Sequence, residues 1–264
     1  MHPQLEDMLI HQQLMETFLD EKDVPGTPSQ ALTAVGRNFL EASYADRTLE
    51  KAGPETLVVN LRTFDCFTFV ESCLSLALLI TSRKGAWSEF TALLTKIRYR
   101  GGILTGYASR LHYFSDWLQD NVRKGVLNDV TKNLGGIPLA KDINYMTAHP
   151  ELYSPLADPE TARQMAEAEK KLKRRTLYYT PISTFDDQEQ KIREGDIIGI
   201  TSATKGLDVM HAGLAVYEGG KVHLLHASKK LGKVVISEEP LGMYLKESEA
   251  RNGIMVGRIR KYNP

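Results

Sequence analysis

The sequence predicts an α+β fold in which a helical half comes first and an antiparallel sheet follows. Apolar residues recur at helical spacing up to about residue 125, whereas short runs bounded by turn residues dominate after Thr180. Between them there is neither a βαβ alternation nor a glycine-rich phosphate loop at a strand-to-helix turn. A chain of 264 residues is long enough to bury a core without disulfides or structural metal.

Leu5, Met8, Leu9, Gln12, Leu14 and Phe18 mark a first helix. Thr27-Pro28 offers an N-cap and a first-turn proline for a second helix reaching Ala42. Leu57 to Leu61 is short and β-branched, which predicts a strand or an extended lead-in. A long helix is expected from Cys66 to Leu79, then Trp87 to Arg98 and Ser109 to Val122, separated by Gly101-Gly102 and Thr105-Gly106. From Asn128 to Pro159 glycines and prolines predict a long loop packed over the rest. Pro159 to Arg175 reads as a helix with an acidic start and a basic end, so Lys170 to Arg175 is a solvated last turn. Strands are expected at Asp196–Thr201, His211–Tyr217, Lys221–Ser228, Lys233–Ser237 and Gly253–Ile259. We therefore expect one catalytic domain over 1–264: a helical extension at 1–50, a helical half at 57–125, an insertion at 126–180 and a β half at 181–264.

The 33 basic side chains balance the 33 acidic ones, and no basic cluster is interleaved with aromatics, so nucleic acid is not an expected partner. The longest apolar run, Leu74 to Ile80, falls far short of the ~20 residues that span a bilayer. The first residues lack the charged and apolar regions of a signal peptide, as a chain cut after such a peptide also would.

Cys66 and Cys73 lie seven positions apart on one expected helix, with Cα atoms about 10 Å apart, and cannot bridge. Cys73 sits among Leu74, Ala77 and Leu78 as a small buried hydrophobe. Cys66 stands at the helix start behind Asp65, where free backbone N–H groups and the helix dipole favour a thiolate and can receive an oxyanion. Its base is sought among the histidines of the sheet. If Gly219-Gly220 is a two-residue turn, Glu218 opposes Lys221 and Gly213 opposes His226, which puts His211 on the face of His226. His223 then opposes Val216 and points to the other side. A four-residue loop keeps this pairing, while a three-residue loop would break it. Cys66, His211 and His226 become nucleophile, base and orienter. Half-buried strand histidines with no such role remain the alternative.

Asp65-Cys66-Phe67-Thr68, Gly195-Asp196-Ile197-Ile198, His211-Ala212-Gly213 and Leu225-His226-Ala227 occur in an order that resembles the NlpC-type papain-like cysteine amidases and peptidases of bacterial cell-wall metabolism. The middle, Arg98 to Gly102 and Tyr107 to Tyr113, is similar to the branch of N-acetylmuramoyl-L-alanine amidases associated with anhydro-muropeptides. The resemblance implies a papain-like core in which a helical half carries the cysteine and packs on an antiparallel sheet or barrel carrying the histidines. It implies no cofactor and no metal, a small soluble muropeptide as partner, a monomer, and a periplasmic or other extracytoplasmic location, with the cytoplasm as the alternative. The interval from His211 to His226 is three residues longer than in the commonest members, whose third polar residue falls at His223 by counting. Motif context and the face argument favour His226, with His223 as substitute.

Arg100, Tyr107, Ser109, Arg110, His112 and Tyr113 supply cationic, hydroxyl and aromatic surface suited to peptide carboxylates and a sugar ring, and Asp65 is a helix cap, a substrate contact or both. The segment from 128 to 160 is expected to close one side of the cleft and exclude the polymer. Competing readings are a cysteine endopeptidase cutting within the stem peptide, a zinc amidase using His211, His223 and His226, and an inert muropeptide-binding module.

Overall fold

The computed structural model describes residues 3–20, 25–51 and 53–260. Helix α1 (Pro3–Asp20) buries Asp7, His11, Leu14, Met15 and Phe18 and leaves Leu5, Met8 and Leu9 outside. Apolar spacing located this helix and misjudged its inner face, because the buried polar groups have partners far along the chain. Asp7 accepts hydrogen bonds from Leu61 N–H at 2.8 Å and Arg62 Nε at 3.1 Å, and His11 meets Trp87 edge-on.

In α2 (Pro28–Asn38) Thr27 and Gln30 form a reciprocal capping box. The helix ends before the expected Ala42 because the sheet claims the following backbone: Glu41 N–H donates to Val234, and Ser43–Tyr44 form β1, parallel to β2 (Thr63–Phe64). Residues 57–61 are an extended lead-in rather than a strand. They are held by Asp7 and by Arg98, whose Nη1 donates to the Val58 carbonyl at 2.6 Å.

α3 (Cys66–Thr81) is buried without a break from Thr68 to Ile80, as a helix apolar on all sides must be. It is flanked by α2 and by α4 (Trp87–Arg98), which has the expected bounds. α5 (Phe114–Arg123) begins five residues after the expected Ser109, since residues 107–109 form a 3₁₀ turn. Its start is fixed from a distance by Asp208, which accepts Ser115 N–H at 2.7 Å.

The middle of the chain is less irregular than expected. It contains β3 (Leu127–Asp129), β4 (Ile137–Pro138) and α6 (Tyr145–Ala148) before α7 (Pro159–Lys173). Next come β5 (Tyr178–Pro181) and α8 (Ile182–Gln188), two elements too short for periodicity to reveal. The strands β6 (Ile197–Ser202), β7 (Val209–Glu218), β8 (Lys221–Ser228) and β9 (Lys233–Ile236) precede a short α9 (Leu241–Lys246) and β10 (Arg251–Ile259).

The sheet runs β2-β1-β9-β8-β7-β6-β10-β5-β4, with β3 beside β10. It is mixed rather than antiparallel throughout, because β1 and β2 run parallel. The β7–β8 hairpin has the expected two-residue turn. Glu218 opposes Lys221 and Leu214 opposes Leu225, with Gly219 at φ +57° and Gly220 at φ +80° as a type I′ turn requires. Leu214, Val216 and Leu225 pack with the α3 core, while Ala215, Val222 and Leu224 pack with Phe185 of α8 and Leu241 of α9. Cover on both faces explains why β6 is buried throughout and shows no polar alternation.

Candidate active site

The site begins with the cap of α3. Asp65 Oδ1 accepts Phe67 N–H at 3.0 Å and Thr68 N–H at 2.7 Å, and Thr68 Oγ1 receives Asp65 N–H at 3.0 Å. This reciprocal box sets Cys66 as the first helical residue, partly exposed to a cleft of about 500 Å³. The backbone N–H of Ala212 on β7 faces its thiol and favours the charged form, which places the sulfur near the residue that follows His211. Burial, with the Asp65 carboxylate adding to it, pushes the thiol up to about 12. Desolvation and the neighbouring anion thus oppose the thiolate that the helix start favours. Cys73 is fully buried, and desolvation raises its thiol well above the ordinary range.

His211 and His226 meet as the hairpin register requires. Their rings stand edge to face, 4.7 Å between centroids, and His211 Nε2 lies 2.6 Å from His226 Nδ1. In the tautomer with His211 Nε2–H as donor, His211 Nδ1 keeps its lone pair for a proton. Burial, then His226 and Arg251, lowers His211 to about 3, while burial and Arg251 lower His226 to about 4. Both rings are neutral at pH 7. Gly213 makes the approach possible, since a Cβ there would lie 2.8 Å from the Leu225 carbonyl oxygen and 2.9 Å from His226 Cβ. His223 opposes Val216, and its Nδ1–H donates to the Ser237 carbonyl at 2.8 Å. The structure thus brings His226, and not His223, to His211.

The imidazole pair is not part of the cleft wall, although Val209 and Met210, just before His211, are. Of the sequence-selected contact residues, Asp65, Arg110 and His112 line the cleft. Arg110 is ion-paired to Glu50 at 2.7 Å and Glu55 at 3.5 Å. His112 Nε2–H donates to the Tyr107 carbonyl at 2.9 Å, and burial lowers its pKa to about 3. Tyr107 packs behind it, 4.5 Å between ring centroids.

The other three lie elsewhere. Arg100 pairs with buried Asp116, and Ser109 Oγ donates to the Gly106 carbonyl at 2.6 Å; both border a separate pocket against α7. Tyr113 is buried and donates to Glu169 at 2.7 Å. These three hold the fold together; their polar groups are spent on protein partners. The segment 128–160 does reach the cleft, through Leu152 and Tyr153.

Sequence reading missed Tyr44, Arg47, Glu71 and Arg98, which also line the cleft. Glu71 and Arg98 form a buried ion pair at 2.7 Å, a pairing across 27 residues that spacing cannot announce. Tyr44 lies close enough to Cys66 for the thiol's charge to raise its phenol pKa, after burial and Asp46, and nothing in its two-residue strand marked it. Among the described residues no three His, Cys, Asp or Glu side chains converge as a metal site.

A family model described as AmiA-like, N-acetylmuramoyl-L-alanine amidase-like, matches residues 34–254. The chain belongs to this family. An N-acetylmuramoyl-L-alanine amidase from Bacteroides uniformis is 41% identical, with a TM-score of 0.84 over 89% of this chain and 99% of that one. A Bacteroides fragilis protein with a provisional xylanase name is 42% identical, with a TM-score of 0.81 over 86% of this chain and 99% of its own. A Legionella pneumophila protein, 21% identical with a TM-score of 0.77 over 99% of this chain and 97% of that one, shares the fold. No curated protein matches. No helix among the described residues is long and apolar enough to cross a membrane. In the AmiA-like frame the matched region spans the cysteine, both histidines of the pair and most of the cleft wall, while α1 lies before it.

Proposed function

We propose that the protein is a cysteine amidase on an NlpC-type papain-like core. It hydrolyses the amide between N-acetylmuramic acid, in its 1,6-anhydro form, and L-alanine in small muropeptides outside the cytoplasm. The observation that carries this reading is the 2.6 Å contact between His211 on β7 and His226 on β8, with Ala212, the residue after His211, turning its N–H toward the Cys66 thiol.

With the thiol pushed up to about 12 and the imidazoles lowered to about 3 and 4, the resting pair is a neutral thiol and a neutral base. Proton transfer from Cys66 to His211 Nδ1 therefore accompanies attack of the sulfur on the lactyl carbonyl carbon. The C–N bond breaks as His211 returns that proton to the alanine nitrogen. Water, deprotonated by His211, then cleaves the thioester and regenerates the thiol. His226 accepts the hydrogen bond of His211 Nε2–H and fixes the ring through both transfers.

Of the backbone N–H groups at the helix start that were expected to receive the oxyanion, those of Phe67 and Thr68 are occupied by Asp65, and the Tyr44 hydroxyl nearby is engaged by Asp46, which leaves the Cys66 N–H beside the thiol as the donor. Leu49, Leu152, Tyr153 and Met210 supply apolar wall for a sugar ring, and Arg47 and Lys229 supply positive charge for peptide carboxylates. A cleft of this volume suits a small ligand, and the 128–160 segment beside it keeps the polymer out.

The test is incubation with anhydro-muropeptides and mass spectrometry of the products, beside Cys66→Ala and a chelator arm. Free stem peptide and anhydro-sugar, lost with Cys66→Ala and kept with chelator, are the expected result. Cleavage within the stem would make the enzyme an endopeptidase. Chelator sensitivity with an active Cys66→Ala would make it a metalloamidase, and recovery of intact ligand would leave a binding module.

A further inference from the structure

Behind the imidazole pair stands a stack that the mechanism above does not use. Tyr244 of α9 meets the His226 ring edge to face, 5.5 Å between centroids. The Arg251 guanidinium lies 4.0 Å from the Tyr244 ring centroid, and its Nη1 donates to the Tyr244 carbonyl. Arg251 opens β10 next to a register shift against β6, so its backbone is anchored in the sheet while its side chain grips the helix. Glu247, four residues earlier in the chain, approaches it at 3.6 Å from the surface.

We propose that Arg251 is a positioning residue of the reaction: it clamps Tyr244, which braces His226, and so holds a fixed positive charge behind the His211–His226 pair. The proposal rests on His211 being the base. A cation held by a ring and a carbonyl is worth more as a brace than as a surface charge, since it cannot swing away from the imidazoles. Titratable neighbours around the pair are Cys66 and Asp65 at the start of α3, Tyr44 and Asp46 after α2, and Tyr244 and Glu247 around α9. The positive charge of Arg251 acts on both rings and opposes their protonation. Burial keeps the pair neutral until the thiol proton arrives, and Arg251 reinforces it.

The experiment follows the imidazole resonances of His211 and His226 by NMR as a function of pH, with kcat/KM profiles on an anhydro-muropeptide beside them. Arg251→Met is expected to raise the titration of the pair, and the acid limb of kcat/KM, by about one pH unit, while Arg251→Lys keeps both near wild type. Glu247→Gln, a surface change, strips the counter-charge from Arg251 and is expected to move the titration the other way, by less. Tyr244→Ala is expected to lower kcat at the plateau, where the pair is neutral in every variant. An unmoved titration in Arg251→Met, or in Glu247→Gln if the former does not fold, overturns the proposal, as does a loss of activity that Lys does not restore. Should wild type turn over no muropeptide, the amidase reading fails on its own, and the NMR arm still decides the role of Arg251.

Discussion

Gly213→Ala is the change that most directly tests how the site is built. The added methyl would lie 2.8 Å from the Leu225 carbonyl oxygen and 2.9 Å from both His226 Cβ and Leu224 Cδ1. One of these contacts is backbone, so the strands must part or His226 must move. Overpacking of this kind costs about 1–3 kcal/mol, which for a chain of this size lowers the melting temperature by roughly 2–10 °C. The loss of activity is expected to be larger than that of stability. A displacement of His226 by about 1 Å spoils the 2.6 Å bond that orients His211, and misplacement on that scale costs on the order of 10²-fold in kcat. Gly36→Ala serves as the control. Its methyl meets the ends of Leu225 and Leu214 side chains, which can swing aside, and it gains about 1 kcal/mol of helix propensity within α2. Calorimetry and a muropeptide turnover assay on both variants decide the matter. Full activity in Gly213→Ala at a reduced melting temperature would refute the claim that this glycine exists to let the two imidazoles meet.

Three further outcomes are expected. Asp65→Ala should cost about 1 kcal/mol for the lost cap, and it should move alkylation of Cys66 by iodoacetamide to lower pH, because the anion that raises the thiol is gone. Arg98→Met should cost about 3–5 kcal/mol in a denaturant titration, since it leaves Glu71 buried without its partner; adding Glu71→Gln should recover part of that loss. The imidazoles predict an acid limit to stability. Their folded values, about 3 and 4, lie below the ordinary 6.5, so the unfolded chain binds more protons as pH falls. The stability they contribute is complete above about pH 6.5 and is lost as pH drops through 4 toward 3. Urea midpoints of wild type should fall over that interval more steeply than those of a His211→Gln, His226→Gln double variant, and equal slopes would contradict the assignment.

Much of the site was legible because its determinants are local. The cap at Asp65 and Thr68, the apolar run of α3 and the Gly219-Gly220 turn each lie within a few residues of what they control. From the turn alone, a period of two along the strands places His211 and His226 on one face and His223 on the other. The paired imidazoles were therefore written in the sequence.

Tertiary structure decided the rest, for the most part through partners distant in sequence. Asp7 and His11 face inward on α1 because Leu61, Arg62 and Trp87 receive them. Arg100, Ser109 and Tyr113 leave the cleft because Asp116, Gly106 and Glu169 claim their polar atoms, while Tyr44, Glu71 and Arg98 enter it from three separate elements. The charge state of Cys66 belongs here too. A helix start favours a thiolate by a local dipole and the adjacent Asp65 carboxylate opposes it locally, but the burial that raises the thiol most is a property of the assembled cleft.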